Sequence, residues 1–360
     1  MQRRKSRSIY TTKQDTRFEE KPFLFIRKVD KKMRYEYICA GNLIMDSHGM
    51  KNSYLGCEEN AGGPATFAYS GVRLWTDSVM QVSRTGADYD SYFKGWIQHN
   101  NVETKGIKVV CDRSNHLYGF MHAYVSDPSN GARDFSHVNS FNVETEMRRY
   151  VLDAWQDFGY QKIRPEDIGE FTRDGGVKGV YLASNPDSIF WKELGAIKER
   201  DGFKIMWEIE GTWARKEFMD LVMNAAQYAD IFSINVEETR ALFDCESDED
   251  CIKGLQTLPV DMTLFRVGAR GLYVVTKDDA IYLPPAPGPM ADGGTVGCGN
   301  SSTGGAMYAY CEGKDPLMVG IIANVSSARN LMQPGLIPEF DTIRDACYAQ
   351  AEELYNQYKK

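Results

Sequence analysis

The chain has 360 residues, 42% of them hydrophobic and 26% charged, and a formal net charge of −8. That length and apolar content can fill the core of one large α/β domain, and they exclude a disordered chain or a disulfide-dense miniature. The acidic balance argues against nucleic acid as a partner.

The charge is uneven. Residues 1–34 carry twelve Lys/Arg and four Asp/Glu, which leaves −16 on the remainder. This basic N-terminal extension reads as a solvated arm, with contact to an anion, a membrane surface or a partner subunit as the alternative. None of the eight cysteines forms a C-x-x-C pair, and the five histidines show no metal-type spacing with them. Buried, reduced thiols are expected. No signal-peptide apolar stretch and no apolar run of roughly 18 residues occurs, so a soluble, cytoplasmic protein without a membrane span is expected.

From Tyr35 the pattern changes. Tyr37-Ile38-Cys39-Ala40-Gly41-Asn42 predicts a buried strand running into a turn. Gly62-Gly63 then opens Pro64-Ala65-Thr66-Phe67-Ala68, and proline just inside a run of helix formers predicts a helix start. Residues 107–126 alternate apolar and polar around the turn-like Asp112-Arg113-Ser114-Asn115, which predicts a half-buried β-hairpin, a candidate lid. Residues 127–175 are polar and aromatic and predict little beyond a helix over Arg148–Phe158. Strand-like runs follow at 179–183, 203–207, 231–234 and 263–267, with helical patterns between them such as Lys216–Ala229. Strands alternating with helices predict a mostly parallel sheet covered on both faces. Residues 273–275 and 280–283 predict a late hairpin. Helical segments run from Ser301 to about Asn330 and again at the C-terminus, over 346–360.

The segment richest in chemistry is Gly293-Gly294-Thr295-Val296-Gly297-Cys298-Gly299-Asn300-Ser301-Ser302-Thr303-Gly304-Gly305. Small residues at a helix start let backbone N–H groups approach an anion, so phosphate binding is the specific expectation. A loop packed tightly for steric reasons is the plain alternative. Trp207-Glu208-Ile209-Glu210 ends a strand where ligands sit in open α/β sheets, although solvated acids are the simpler reading there.

Here the chain resembles the ribokinase (PfkB-type) family of sugar and nucleoside kinases. The family's D-T-x-G-A-G-D signature is matched at Thr295, Gly297 and Gly299, with Cys298 at a small-residue position and Gly304-Gly305 following. Gly41-Asn42 and Asp46 stand where the family ends its first strand and places an aspartate, and Gly62-Gly63-Pro64-Ala65 stands for G-G-N-A. Asn235-Val236-Glu237-Glu238 matches N-x-x-E, and Arg266-Val267-Gly268-Ala269-Arg270-Gly271 matches T-x-G-x-x-G. Ala323-Asn324 and Gln333-Pro334-Gly335 fit the closing helices. The resemblance implies a ribokinase-like α/β domain over 35–345, with small β lid elements near 46–60 and 107–126. It implies ATP and Mg2+ as cofactors and phosphoryl transfer to a hydroxyl of a sugar or nucleoside. Asn42, Asp46, Gly62 and Gly63 would face the substrate. Asn235, Glu238, Arg266, Gly268, Gly271, Thr295 and Asn324 would face the nucleotide, with Glu238 toward the metal. A homodimer paired through the lids is implied as well.

The departures are concentrated in the chemistry. Asn300 replaces the aspartate that takes the substrate proton, and a neutral amide has no basic site near neutral pH. Gly294, Pro64 and Arg266 replace a signature aspartate, the substrate-side asparagine and the threonine, so a single engineered replacement would not account for the pattern. Three readings follow: a kinase whose base has moved, with Asp292 nearest in sequence; cleavage or glycosyl transfer on a glycoside or nucleotide in the same pocket, with Cys298 tuned by the helix start; or a non-catalytic sugar- or nucleotide-binding pseudokinase.

Overall fold

The computed structural model describes residues 35–49, 57–117, 124–127, 132–134, 161–291 and 294–359. The basic segment 1–34, the helix expected over Arg148–Phe158 and Asp292 lie outside them.

Nine strands form the central sheet, in the order β14-β13-β12-β11-β10-β9-β1-β4-β5. In chain order they are β1 (Tyr37–Ala40), β4 (Val79–Gly86), β5 (Ile107–Cys111), β9 (Gly179–Ser184), β10 (Lys204–Ile209), β11 (Ile231–Asn235), β12 (Met262–Arg266), β13 (Leu272–Val275) and β14 (Ala280–Leu283). From β5 to β12 every pairing is parallel, and β13 and β14 add an antiparallel edge, the late hairpin expected from sequence. A second sheet joins β2 (Ile44–Gly49) to β3 (Cys57–Gly62) antiparallel and to β6 (Asn115–Leu117) parallel. A separate pair is formed by β7 (Tyr124–Asp127) and β8 (Ala132–Asp134).

The helices are α1 (Pro64–Arg73), α2 (Tyr89–His99), α3 (Pro165–Thr172), α4 (Ser188–Asp201), α5 (Met219–Ala226), α6 (Val236–Phe243), α7 (Asp248–Leu255), α8 (Cys298–Cys311), α9 (Pro316–Asn330) and α10 (Arg344–Tyr358). Pro64 occupies the first position of α1, where its missing N–H costs nothing. Among the described residues no helix is long and apolar enough to cross a membrane.

Two cores flank the sheet because alternate residues of each strand point to opposite faces. Tyr37 and Cys39 of β1 join Tyr181, Met206 and Leu264 against helices α1, α8, α9 and α10. Ile38 and Ala40 join Leu182, Trp207 and Phe232 against the opposite helical layer, which includes Trp191 and Val222. Both faces are buried, which is why these strands read as continuous apolar runs.

Of the hairpin expected over 107–126, residues 118–123 lie outside the described residues, and the described strands β5 and β6 do not pair with each other. β5 joins the edge of the main sheet beside β4, while β6, three residues later, pairs with β2 in the small sheet. The turn-like Asp112-Arg113-Ser114 is a crossing between sheets. Ser114 fixes it: its Oγ accepts from Gly86 N at 3.1 Å, and its N–H donates to Asp88 at 2.6 Å.

Trp207 is fully buried, with its ring centroid 4.8 Å from Trp191 and 4.9 Å from Phe232, and its Nε1 donates to Ser184 O at 2.9 Å. Trp207→Ala is expected to lower unfolding stability by about 3–5 kcal/mol, seen as a reduced midpoint in a urea titration.

Candidate functional site

The carboxyl ends of β9–β12 and the start of α8 meet at one place. On β10, Ile205, Trp207 and Ile209 belong to one core, so Met206 and Glu208 face the other side, toward α8. The same alternation directs Tyr181 of β9 and Arg266 of β12 to that side. Glu208 is buried, with 5% of its surface exposed. A carboxylate there needs donors and a counter-charge. Its Oε1 pairs with Arg266 Nη2 at 2.9 Å. Its Oε2 accepts from Tyr181 Oη at 2.8 Å and from Asn300 Nδ2 at 3.0 Å, and Asn300 Nδ2 also reaches Tyr181 Oη at 3.2 Å.

Burial, and next the Glu208 charge, hold the Tyr181 phenol pKa well above its usual range, so it stays a proton donor. Burial works against the charge on Arg266, but Glu208 and Glu238 outweigh it and raise the guanidinium pKa. Arg266 Nε has no hydrogen-bond partner among the described residues.

Helix α8 starts with Gly297 in the left-handed region (φ 78) as its N-cap, without a side-chain cap. The first rung of its ladder is Ser301 N–H to Gly297 O at 2.8 Å. The N–H groups of Gly299 and Asn300 lie ahead of that rung, where a helix offers them no carbonyl. Glycine at 297 is required twice, by its φ and because a Cβ would strike the Phe67 ring. A Cβ at Gly299 would strike the Arg266 guanidinium. Asn330, fully buried, pins this turn by donating from Nδ2 to Val296 O at 2.6 Å and Gly294 O at 3.2 Å.

Phe67 separates this cluster from a second one, since a Cβ at Gly62 would also meet its ring. Asp46, buried, accepts from Gly63 N at 2.9 Å, and Gly63 (φ 94) packs on the backbone of Asn42 and Ile44. Asn42, Asp46, Gly62 and Gly63 thus assemble where β2, β3 and α1 meet.

The remaining residues singled out by sequence fall partly beside this cluster and partly away from it. Asn235 and Glu238 form a capping box at the start of α6: Asn235 Oδ1 accepts from Glu238 N at 2.9 Å, and Glu238 Oε2 accepts from Asn235 N at 3.0 Å. Burial raises the Glu238 carboxyl pKa, with the Arg266 charge opposing. Gly268 (φ 62) and Gly271 (φ 103) shape the turn after β12. Asn324 holds Pro284 O at 2.8 Å, and Thr295 O accepts from Cys298 N at 3.4 Å. Cys298 Sγ sits against Gly294 O at 3.3 Å and Asn330 Nδ2 at 3.4 Å, and burial pushes its thiol up to about 11, the opposite of an activated thiolate. Glu210 also has its pKa raised by burial, with Lys162 opposing. Among the described residues no three His, Cys, Asp or Glu side chains cluster as a metal site.

Nothing in the sequence singled out Tyr181 or Asn330, and Glu208 read as a solvated strand end. Strand parity was the available signal for Glu208, since it places the residue opposite Trp207.

Residues 180–343 match the pfkB family carbohydrate kinases. Solved structures share the fold. Aminoimidazole riboside kinase from Salmonella enterica, complexed with aminoimidazole riboside and an ATP analog, is 15% identical, with a TM-score of 0.63 over 88% of this chain and 99% of that one. A fructokinase double mutant from Vibrio cholerae O395, in its fructose, ADP and potassium ion bound form, is 17% identical, with a TM-score of 0.63 over 89% and 98%. A Burkholderia thailandensis nucleoside kinase in complex with inosine is 15% identical, with a TM-score of 0.59 over 89% and 97%. No curated protein matches the chain.

Asn300→Asp is expected to set a second carboxylate about 3 Å from Glu208, destabilising the fold by about 1–3 kcal/mol. The introduced carboxyl's folded pKa rises above its unfolded value, so the loss is absent below about pH 4 and grows as pH rises. Glu208→Gln in the same chain should abolish that pH dependence, as read by thermal unfolding across pH.

Proposed function

We propose that this ribokinase-like chain, pfkB-type over residues 180–343, binds a nucleotide phosphate at the start of α8 and a sugar or nucleoside beside Asp46, with phosphoryl transfer strongly attenuated. The carrying observation is the uncapped start of α8, whose Gly299 and Asn300 N–H groups precede the helical ladder at the carboxyl end of the sheet. Such a turn favours anions through its exposed N–H groups and the helix dipole. The kinases of similar fold were solved with ATP analog, ADP, fructose or nucleoside, which supports ATP as donor and a hydroxylated small molecule as acceptor.

Gly299 and Asn300 would cradle phosphate oxygens. Glu238 would face the Mg2+ that accompanies the nucleotide, a cation commonly held by one carboxylate plus phosphate oxygens. Bound, the nucleotide and its cation supply the transferable phosphoryl group and part of its charge neutralisation. The small sheet of β2, β3 and β6 would close over the acceptor as a lid, and it is the surface through which a homodimer would pair. A soluble, cytoplasmic protein acting on small molecules fits the acidic body.

The attenuation follows from Asn300. Its amide nitrogen is committed to Glu208 and Tyr181, and it offers no basic site. Glu208 does not replace the base, because Arg266, Tyr181 and Asn300 already occupy its oxygens. Loss of a general base slows transfer by roughly 10²–10⁴-fold, while positioning remains. That commitment favours a second reading, a binding protein without turnover.

Calorimetric titration with ATP and Mg2+, alone and with a panel of sugars and nucleosides, tests the proposal. Binding with turnover slower than a typical kinase by roughly 10²–10⁴-fold is expected. Binding without turnover selects the second reading, and absence of nucleotide binding sinks both. Asn300→Asp together with Glu208→Gln is expected to raise kcat, whereas Asn300→Asp alone should gain less.

A further inference from the structure

We infer that Cys245 and Cys251 form a reversible intramolecular disulfide that fastens the corner between α6 and α7. This inference does not rest on the proposed function. The two sulfurs lie 2.9 Å apart, closer than non-bonded packing of two thiols requires. Cys251 is fully buried in the first turns of α7, and Cys245, partly exposed, sits in the short link after α6. Asp244 before it holds the left-handed conformation (φ 54), which turns the chain back so that Cys245 meets Cys251. Five residues lie between them in sequence, and the helical turn of α7 fixes the direction of the Cys251 side chain.

The corner is joined to the end of β12. Asp248, the first residue of α7, pairs with Arg270 at 2.5 and 3.1 Å and accepts from Tyr273 Oη at 3.5 Å. Arg270 belongs to the turn Gly268–Arg270, directly after Arg266 and Val267. Fastening the corner therefore restrains the turn that follows the strand carrying Arg266.

The co-reactant is a small disulfide such as oxidised glutathione. Cys245, the more exposed sulfur, attacks as thiolate, forms a mixed disulfide and releases one glutathione thiol. Cys251 then gives up its proton, attacks the Cys245 sulfur and releases the second. Two protein thiols are oxidised, one glutathione disulfide is reduced, and both hydrogens leave on glutathione. Burial, then its contact with Cys245, pushes the Cys251 thiol up to about 12, so it stays protonated while the more exposed Cys245 attacks first.

The full chain, treated with oxidised glutathione and then alkylated, tests this by peptide mass. Trypsin releases Ala241–Lys253, which holds these two cysteines and no other. The expected product is that peptide lighter by two hydrogens and unalkylated, restored to a doubly alkylated form by dithiothreitol. Hydrogen exchange in 268–271 should slow on oxidation. Cys245→Ser should remove both effects, and Cys251→Ser provides the matching control. Full alkylation of both sulfurs after oxidant, or a stable glutathione adduct on Cys245, overturns the disulfide. Unchanged exchange at 268–271 in the oxidised chain overturns its coupling to the turn.

Discussion

A carboxylate buried at the end of a parallel strand is the constraint on which the site depends. Glu208 cannot sit under α8 as an isolated charge, because removing an ion from water costs several kcal/mol unless a partner and donors replace the solvent. Arg266, two strands away, supplies the partner, and Tyr181 and Asn300 supply the donors. Arg266 and Asn300 are therefore parts of one coupled arrangement around Glu208. An arginine at 266 needs an acid, and an acid at 208 needs a donor at 300. An aspartate at 300 would bring a second carboxylate to an oxygen that already has its hydrogen bonds.

Close approach explains why the loop is rich in glycine. Gly297 yields to Phe67, Gly299 to Arg266, and Gly304 to the backbone of Ala68 in α1. Each lets the start of α8 sink between α1 and the sheet. That depth leaves uncapped N–H groups at the strand ends, where an anion would meet them. The steric reading of the loop and the anion binding proposed for it would both follow from one close approach.

The α6–α7 corner repeats this economy on the other core. Asp248 ties it to the turn after β12, and β12 ends in Arg266. One ion pair and one turn therefore connect the corner to the strand that carries Arg266.

The continuous apolar runs of β9 to β12 determined a parallel sheet buried on both faces, because such strands have no polar side to show. Proline after a diglycine determined the start of α1, and the glycine loop determined where phosphate chemistry would be sought. Residues 107–126 looked like a hairpin because alternation signals a strand without naming its partner. Only the tertiary structure sent β5 and β6 into different sheets. Likewise the sequence places Asn300 in the glycine loop, and only the fold brings Glu208 within 3.0 Å of it. Residues 92 positions apart become neighbours through strand register and helix depth, which depend on packing across the whole core.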